Sequence, residues 1–265
     1  MKRFIYNSVP VFALIIALAS CNKEDDKTPT PTTPTNPTTP SQGPTPVTPM
    51  PSNSNLSGVF ISVKMKYTSQ PTGSPMPVEI SSDMGIAAIY TSPGASAFAD
   101  AGTVSVNNNN LEKQTNGSYL KWAYVGGTPS DLGFSSTCDW NVGGSSAVTA
   151  FSFSDNSAFP DYTGTLPESV SKSGNISLTF NSSTVTGADS VYVLIAAGNV
   201  SVLKSFASTA GSVTIPSSDL QSLPVTTDNS AVFEICPFRF KEIVKNGKNY
   251  FSIKELAVVK NININ

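Results

Sequence analysis

From Ser54 to the C-terminus, apolar and polar residues alternate in short runs, with a period of two and no sustained helical period. The clearest run is Val59–Tyr67. Val59, Ile61, Val63, Met65 and Tyr67 fall on one face, while Ser62, Lys64 and Lys66 fall on the other, as in a half-buried strand. Similar runs occupy 86–90, 119–125, 176–180, 231–235 and 250–259. Val191–Ala196 is apolar almost throughout, which predicts a central strand covered on both faces. Asn246-Gly247, between two such runs, predicts a type I′ hairpin turn, because Asn and Gly tolerate the positive φ angles that turn needs. Asn116-Gly117 predicts the same before Tyr119. The single helical signal is Ser217-Ser218-Asp219-Leu220-Gln221, one turn with Ser or Asp as its cap.

Many short strands with frequent turns predict an all-β fold, an antiparallel β-sandwich. The stretch from about Val170 onward is the more regular, and its architecture is immunoglobulin-like. Two β-rich units are expected, 55–168 and 169–265, with the boundary between 165 and 171; a single domain over 55–265 is the alternative. About 210 residues suffice for either arrangement.

The preceding segment has a different character. Thr28 to Asn53 is dominated by Pro and Thr, which deny the backbone both donors and core-filling side chains, so residues 21–54 are expected to be a disordered linker. Extended at ~3.1 Å per residue, such a linker reaches up to ~100 Å. Ahead of it, Lys2 and Arg3 precede an apolar run that ends at Leu18, too short for ~30 Å of hydrocarbon. Residues 1–20 therefore read as a secretory signal peptide.

Leu18-Ala19-Ser20-Cys21 resembles the lipobox of bacterial lipoproteins. The resemblance implies that Cys21 carries a diacylglycerol and anchors the chain in outer-membrane lipid, each buried CH₂ contributing ~0.8 kcal/mol. Lys23-Glu24-Asp25-Asp26 follows almost at once and resembles the surface-export signal of Bacteroidota lipoproteins. That implies a lipid-anchored protein of the outer membrane facing the cell exterior.

Composition narrows the chemistry. The chain has no histidine, which excludes histidine-based triads and histidine metal sites. A formal net charge of −2 argues against nucleic-acid binding. No phosphate-cradling or nucleophile-elbow motif is present, and no cofactor or metal is expected. Cys138 and Cys236 are the cysteines left after Cys21. An exported protein permits a bridge between them, and two buried free thiols are the alternative. Asp131, Asp139, Asp155, Asp161 and Glu168 are the acids from which a catalytic carboxylate pair would have to be drawn. Asp155, Asn156 and Asp161 share one loop, better explained by turn formation than by calcium. Trp122, Tyr124 and Trp140 form either an aromatic platform for a sugar or part of the core. Asp189-Ser190-Val191 resembles the Asp-Ser/Thr-aliphatic motif O-glycosylated in Bacteroidota, which implies modification of Ser190. Arg239, Lys241, Lys245, Lys248, Lys254 and Lys260 predict a basic edge on the strand–turn–strand that begins at Phe238.

The expected role is non-catalytic: binding, adhesion or envelope structure, with a glycan or protein as ligand. The alternatives are a carbohydrate-binding accessory lipoprotein of a glycan-uptake system and a glycoside hydrolase using two carboxylates.

Overall fold

The computed structural model describes residues 55–69, 78–122 and 131–265. The signal segment, Cys21, the export residues Lys23, Glu24, Asp25 and Asp26, the linker and Tyr124 lie outside the described residues. The described chain is all-β. In order it forms β1 (Leu56–Ser69), β2 (Val78–Ile89), β3 (Val104–Val106), β4 (Asn109–Asn110), β5 (Glu112–Lys113), β6 (Tyr119–Trp122), β7 (Cys138–Val142), β8 (Phe151–Asp155) and β9 (Asp161–Tyr162). It continues through β10 (Ser169–Val170), β11 (Ile176–Phe180), β12 (Val185–Thr186), β13 (Ser190–Ala197), β14 (Val200–Ala207), β15 (Gly211–Ile215), the helical turn α1 (Ser217–Leu220), β16 (Thr226–Lys245) and β17 (Lys248–Ile264).

One large sheet runs β14-β13-β16-β17-β1-β2-β6-β5, with β10 also against β17. Its spine is the β16–β17 hairpin, 20 and 17 residues long. Asn246 and Gly247 turn it with φ of 51° and 72°, and Lys245 pairs with Lys248, the type I′ geometry expected of Asn-Gly. The other Asn-Gly behaves differently. Lys113 pairs with Tyr119, so the β5–β6 loop is longer than two residues, and only Gly117 takes a positive φ. At α1 the cap comes from afar: the Ser217 N–H donates to Asn175 Oδ1, and no local side chain caps the turn.

The expected antiparallel arrangement holds for most pairs, but β17 is parallel to both β1 and β10. No short turn joins β1 to β17, so hairpin geometry does not dictate their direction. Apolar alternation matches them face to face in either direction.

Along β17 the two faces separate cleanly. Tyr250, Leu256, Val258, Ile262 and Ile264 point to one side, which two smaller layers cover. The β4-β3-β7-β8 sheet closes a core containing Phe60, Tyr119, Trp140, Phe153 and Tyr250. The β11–β15 pair, with β9–β12 and α1, closes a second core around Phe180, Val193, Phe233 and Ile262. On the opposite face Val59, Ile61, Val63, Met84, Ile86, Cys236, Phe238, Ile253 and Val259 form a third cluster. The large sheet thus takes strands from both sides of the expected 168/169 boundary.

The Cys138–Cys236 bridge does not form; both thiols are free and buried. Cys138 sits in the core beneath the β3–β7–β8 layer, on the side of Lys254. Cys236 lies on the other face, its Sγ 3.9 Å from Glu255 Oε2. Lys254 and Glu255 are consecutive residues of β17 and point to opposite faces, so the sheet itself separates the two sulfurs.

Candidate functional site

β1 and β2 pair antiparallel and set Lys64 opposite Asp83 and Lys66 opposite Ser81. All four side chains share the covered face, and there they border a cleft of about 320 Å³ where the two cores meet. Asp131 and Phe134 supply its wall from the segment before β7, and Leu256 of β17 its floor. Gly85 makes the close packing beside it feasible: a Cβ there would meet Val106 Cγ1 at 3.1 Å and Leu132 Cδ1 at 3.6 Å.

Asp83 organises the wall. Its Oδ2 accepts the Leu132 N–H at 3.0 Å and the Phe134 N–H at 3.4 Å. Asp131 in turn accepts the Gly133 N–H at 2.6 Å. Burial, followed by the neighbouring Asp131 carboxyl, pushes Asp83 up to about 6. The Gly133 amide, followed by the neighbouring Asp83, holds Asp131 below the usual carboxylate range.

The cations are arranged in company. Lys64 Nζ stands 5.1 Å from the Phe159 ring centroid, and its charge favours ionised Asp131. Lys66 Nζ lies 3.5 Å from Asp161 Oδ1. Phe134 stacks on Phe159 at 5.8 Å between centroids, which ties the wall to the segment after β8. Below, Lys254 is fully buried, and its ammonium donates to the carbonyls of Ser136 at 2.8 Å, Asp155 at 3.0 Å and Ser157 at 2.6 Å. Burial lowers its pKa, partly offset by the nearby Asp155 charge. Burial pushes Asp155 up, but bonds from Ser157 and Ser252 outweigh it and hold the carboxyl below its usual range.

This arrangement places the expected site residues individually. Asp131 reaches the cleft, and its partner is Asp83, which the sequence reading missed. Asp155 is turned inward to Ser157 and Ser252, and Asp139 accepts from Ser154 on the outer face of β7. Asp161 and Glu168 are committed to Lys66 and Lys260. Among the described residues no three acidic, cysteine or histidine groups come together as a metal-ligand set.

The aromatic platform of Trp122 and Trp140 is not formed. Trp140 is 1% exposed, packed 5.2 Å from Phe60, because the alternation Cys138, Trp140, Val142 points into the core. Trp122 is half-buried on the opposite face, next to the cluster of Val63 and Met84. Ser190 is buried at 6% exposure in β13, so the folded chain does not offer its hydroxyl for glycosylation. Lys254 leaves the expected basic edge for the interior, whereas Lys241 and Lys248 stay exposed.

Asp83 was legible only in part. Ser81–Ile89, SSDMGIAAI, carries one acid among apolar and small residues, Asp83, on what becomes a central strand. An acid in that setting must be paired or protonated.

No protein-family model matches the chain, and no curated protein and no solved structure matches it.

Proposed function

We propose that this chain is a lipid-anchored, outward-facing, non-catalytic binding protein. Acylated Cys21 holds it in outer-membrane lipid, Lys23-Glu24-Asp25-Asp26 directs it outward, and residues 21–54 are the stalk. The lipobox and export residues support the anchoring. The observation that carries binding is the cleft of about 320 Å³ bordered by Lys64, Lys66, Asp83 and Asp131. That volume is at the lower end of the ~300–1,000 Å³ of small-molecule sites. We read the C-terminal layer pair, β11–β15 over β14-β13-β16-β17, as an immunoglobulin-like unit.

A second reading, a carbohydrate-binding accessory lipoprotein, is favoured by how the charges pair. Lys66 already has Asp161, and Lys64 stands over the Phe159 ring. An anionic ligand would have to compete with Asp161 for Lys66. A hydroxyl both donates and accepts, so a neutral sugar can bond ammonium and carboxylate together without disturbing either. The hydrolase alternative fits poorly. Asp155 is bonded to Ser157 and Ser252, and Asp161 and Glu168 are paired with Lys66 and Lys260, whereas a catalytic pair must face each other across the anomeric centre.

Display is tested by proteinase K shaving of intact cells, wild type against Lys23→Ala/Glu24→Ala/Asp25→Ala. Digestion of the wild type with protection of the variant is the expected result; protection of both places the domain inside the envelope and overturns outward display. The cleft is tested on an array of neutral and uronate oligosaccharides. Lys64→Met is expected to weaken a neutral hit by tenfold or more; undiminished binding removes the cleft as the site.

A further inference from the structure

We propose that the tip of the β16–β17 hairpin, with Lys241, Lys245 and Lys248, rests on the phosphate-bearing headgroups of the anionic lipid surface that anchors the chain, and so turns the cleft toward the medium. This contact rests on the lipid-anchored reading of Cys21.

Strand direction brings the tether to the tip. β1 and β17 are parallel, and Leu56, where β1 begins, pairs with Asn249, the residue after Lys248. Residues 21–54 therefore join the domain within one or two strand spacings, each ~4.8 Å, of the Lys245–Lys248 turn. From there the sheet runs away from the anchor. Lys64 and Lys66 of the cleft lie further along β1, roughly 30 Å from its start at ~3.3 Å per residue. Ile264, at the far end of β17, is roughly 50 Å from the tip.

The charge at the tip is uncompensated. Lys245 and Lys248 are directly opposite each other across the turn, and like charges so placed weaken a hairpin unless an anion lies against them. Among the described residues no carboxylate stands within ion-pair distance of Lys241, Lys245 or Lys248, whereas Lys66, Lys113, Lys204 and Lys260 each have one. Lys241 and Lys248 are exposed, and Glu242 is the one acid within 239–254. The tip is thus basic in a chain whose formal balance is −2. Val244, beside these lysines, is 62% exposed, one of three large apolar side chains so placed among the described residues. An aliphatic group flanked by lysines suits the boundary between phosphate and acyl chain, where a free phosphate would leave Val244 in water. Asn246 Nδ2 donates to the Ala150 carbonyl at 3.4 Å, which holds the tip against the loop before β8.

Each lysine close to an anionic surface favours contact by about fivefold, and only within a Debye length, ~10 Å in 0.1 M salt. The test places the mature acylated chain on phosphatidylcholine vesicles, with or without a third of phosphatidylglycerol, and reads brief lysine acetylation by mass spectrometry. Lys241, Lys245 and Lys248 are expected to react about fivefold or more slowly on the anionic vesicles. Lys66, in the distal half with its side chain 42% exposed, should react alike on both. The slowing should vanish in 1 M salt. In Lys245→Gln/Lys248→Gln, Lys241 should lose its protection. Equal tip rates on the two vesicles, equal slowing at Lys66, or undiminished protection of Lys241 in the variant overturns the contact. The same slowing by inorganic phosphate on neutral vesicles assigns the lysines to a free anion and overturns the lipid surface. Flotation with neutral vesicles reads the anchor separately. A chain that does not float overturns the acylation and the contact with it, whereas a floating chain with equal tip rates overturns the contact alone.

Discussion

Lys254 pins the β7–β8 layer to the central sheet. Its three carbonyl partners all come from the segment between Ser136 and Ser157, and its stem crosses from β17 beneath them. A buried ammonium with a full set of acceptors resists substitution, because removing it leaves carbonyls and the Asp155 carboxylate without compensation. Lys254→Met is expected to lower stability by about 3–5 kcal/mol in urea unfolding, against less than ~0.5 kcal/mol for exposed Lys248→Met. The sequence reading grouped Lys254 with its basic neighbours, since a lysine in an alternating run is ordinarily a solvated one. A signal to the contrary was present: Lys254 and Glu255 are adjacent within Tyr250–Val259, where Ser252 is the one other small polar residue among apolar ones, so one charge must lie on each face. Trp140 is a similar case. In CDWNV the apolar residues occupy one parity, and burial follows from the alternation alone.

At the scale of elements, β16 and β17 carry the other unusual groups. Glu234 and Glu255 lie on the face of Tyr192 and Cys236, opposite the two covered cores. Burial raises Glu234 to about 7, and burial with the neighbouring Glu234 charge raises Glu255 to about 8. Folding therefore favours their protonated forms. The contribution to stability is full below the ordinary glutamate range and lost as pH rises through 7 to 8. Glu255→Gln is neutral at every pH, so its stability should decline less between pH 5 and pH 9. At pH 9 it should exceed the wild type by on the order of 2–4 kcal/mol, measured by denaturant unfolding across that range. The hairpin that carries these residues was legible from Asn246-Gly247 and the flanking runs. The parallel partnership of β1 with β17 was not, because no turn links them and either direction satisfies the same alternation.

At the scale of the whole molecule, β1, β2, β5 and β6 from the first half pair through β17 into the same sheet as β13, β14 and β16. The halves share strands: the N-terminal core uses Ile243 and Tyr250 of the β16–β17 hairpin, while β17 is paired along its length with β1, and β12 with β9. The described domain should accordingly unfold in one calorimetric transition. Residues 169–265 expressed alone should fail to fold, since β17 would lose β1 along its length. Two separated transitions would instead make the halves independent.

Alternation and turn chemistry determine that the described chain is all-β, and where its best strands and its tight hairpin fall. These depend on neighbours in sequence, whose side chains and φ angles impose a local period. The meeting of Asp83 with Asp131, the caging of Lys254 and the separation of Cys138 from Cys236 depend on strand order and on which face each residue takes in the assembled sheet. Those are products of long-range pairing, where free energy is shared among many weak contacts. One residue of register decides whether a carboxyl group meets solvent, an amide or a second carboxyl.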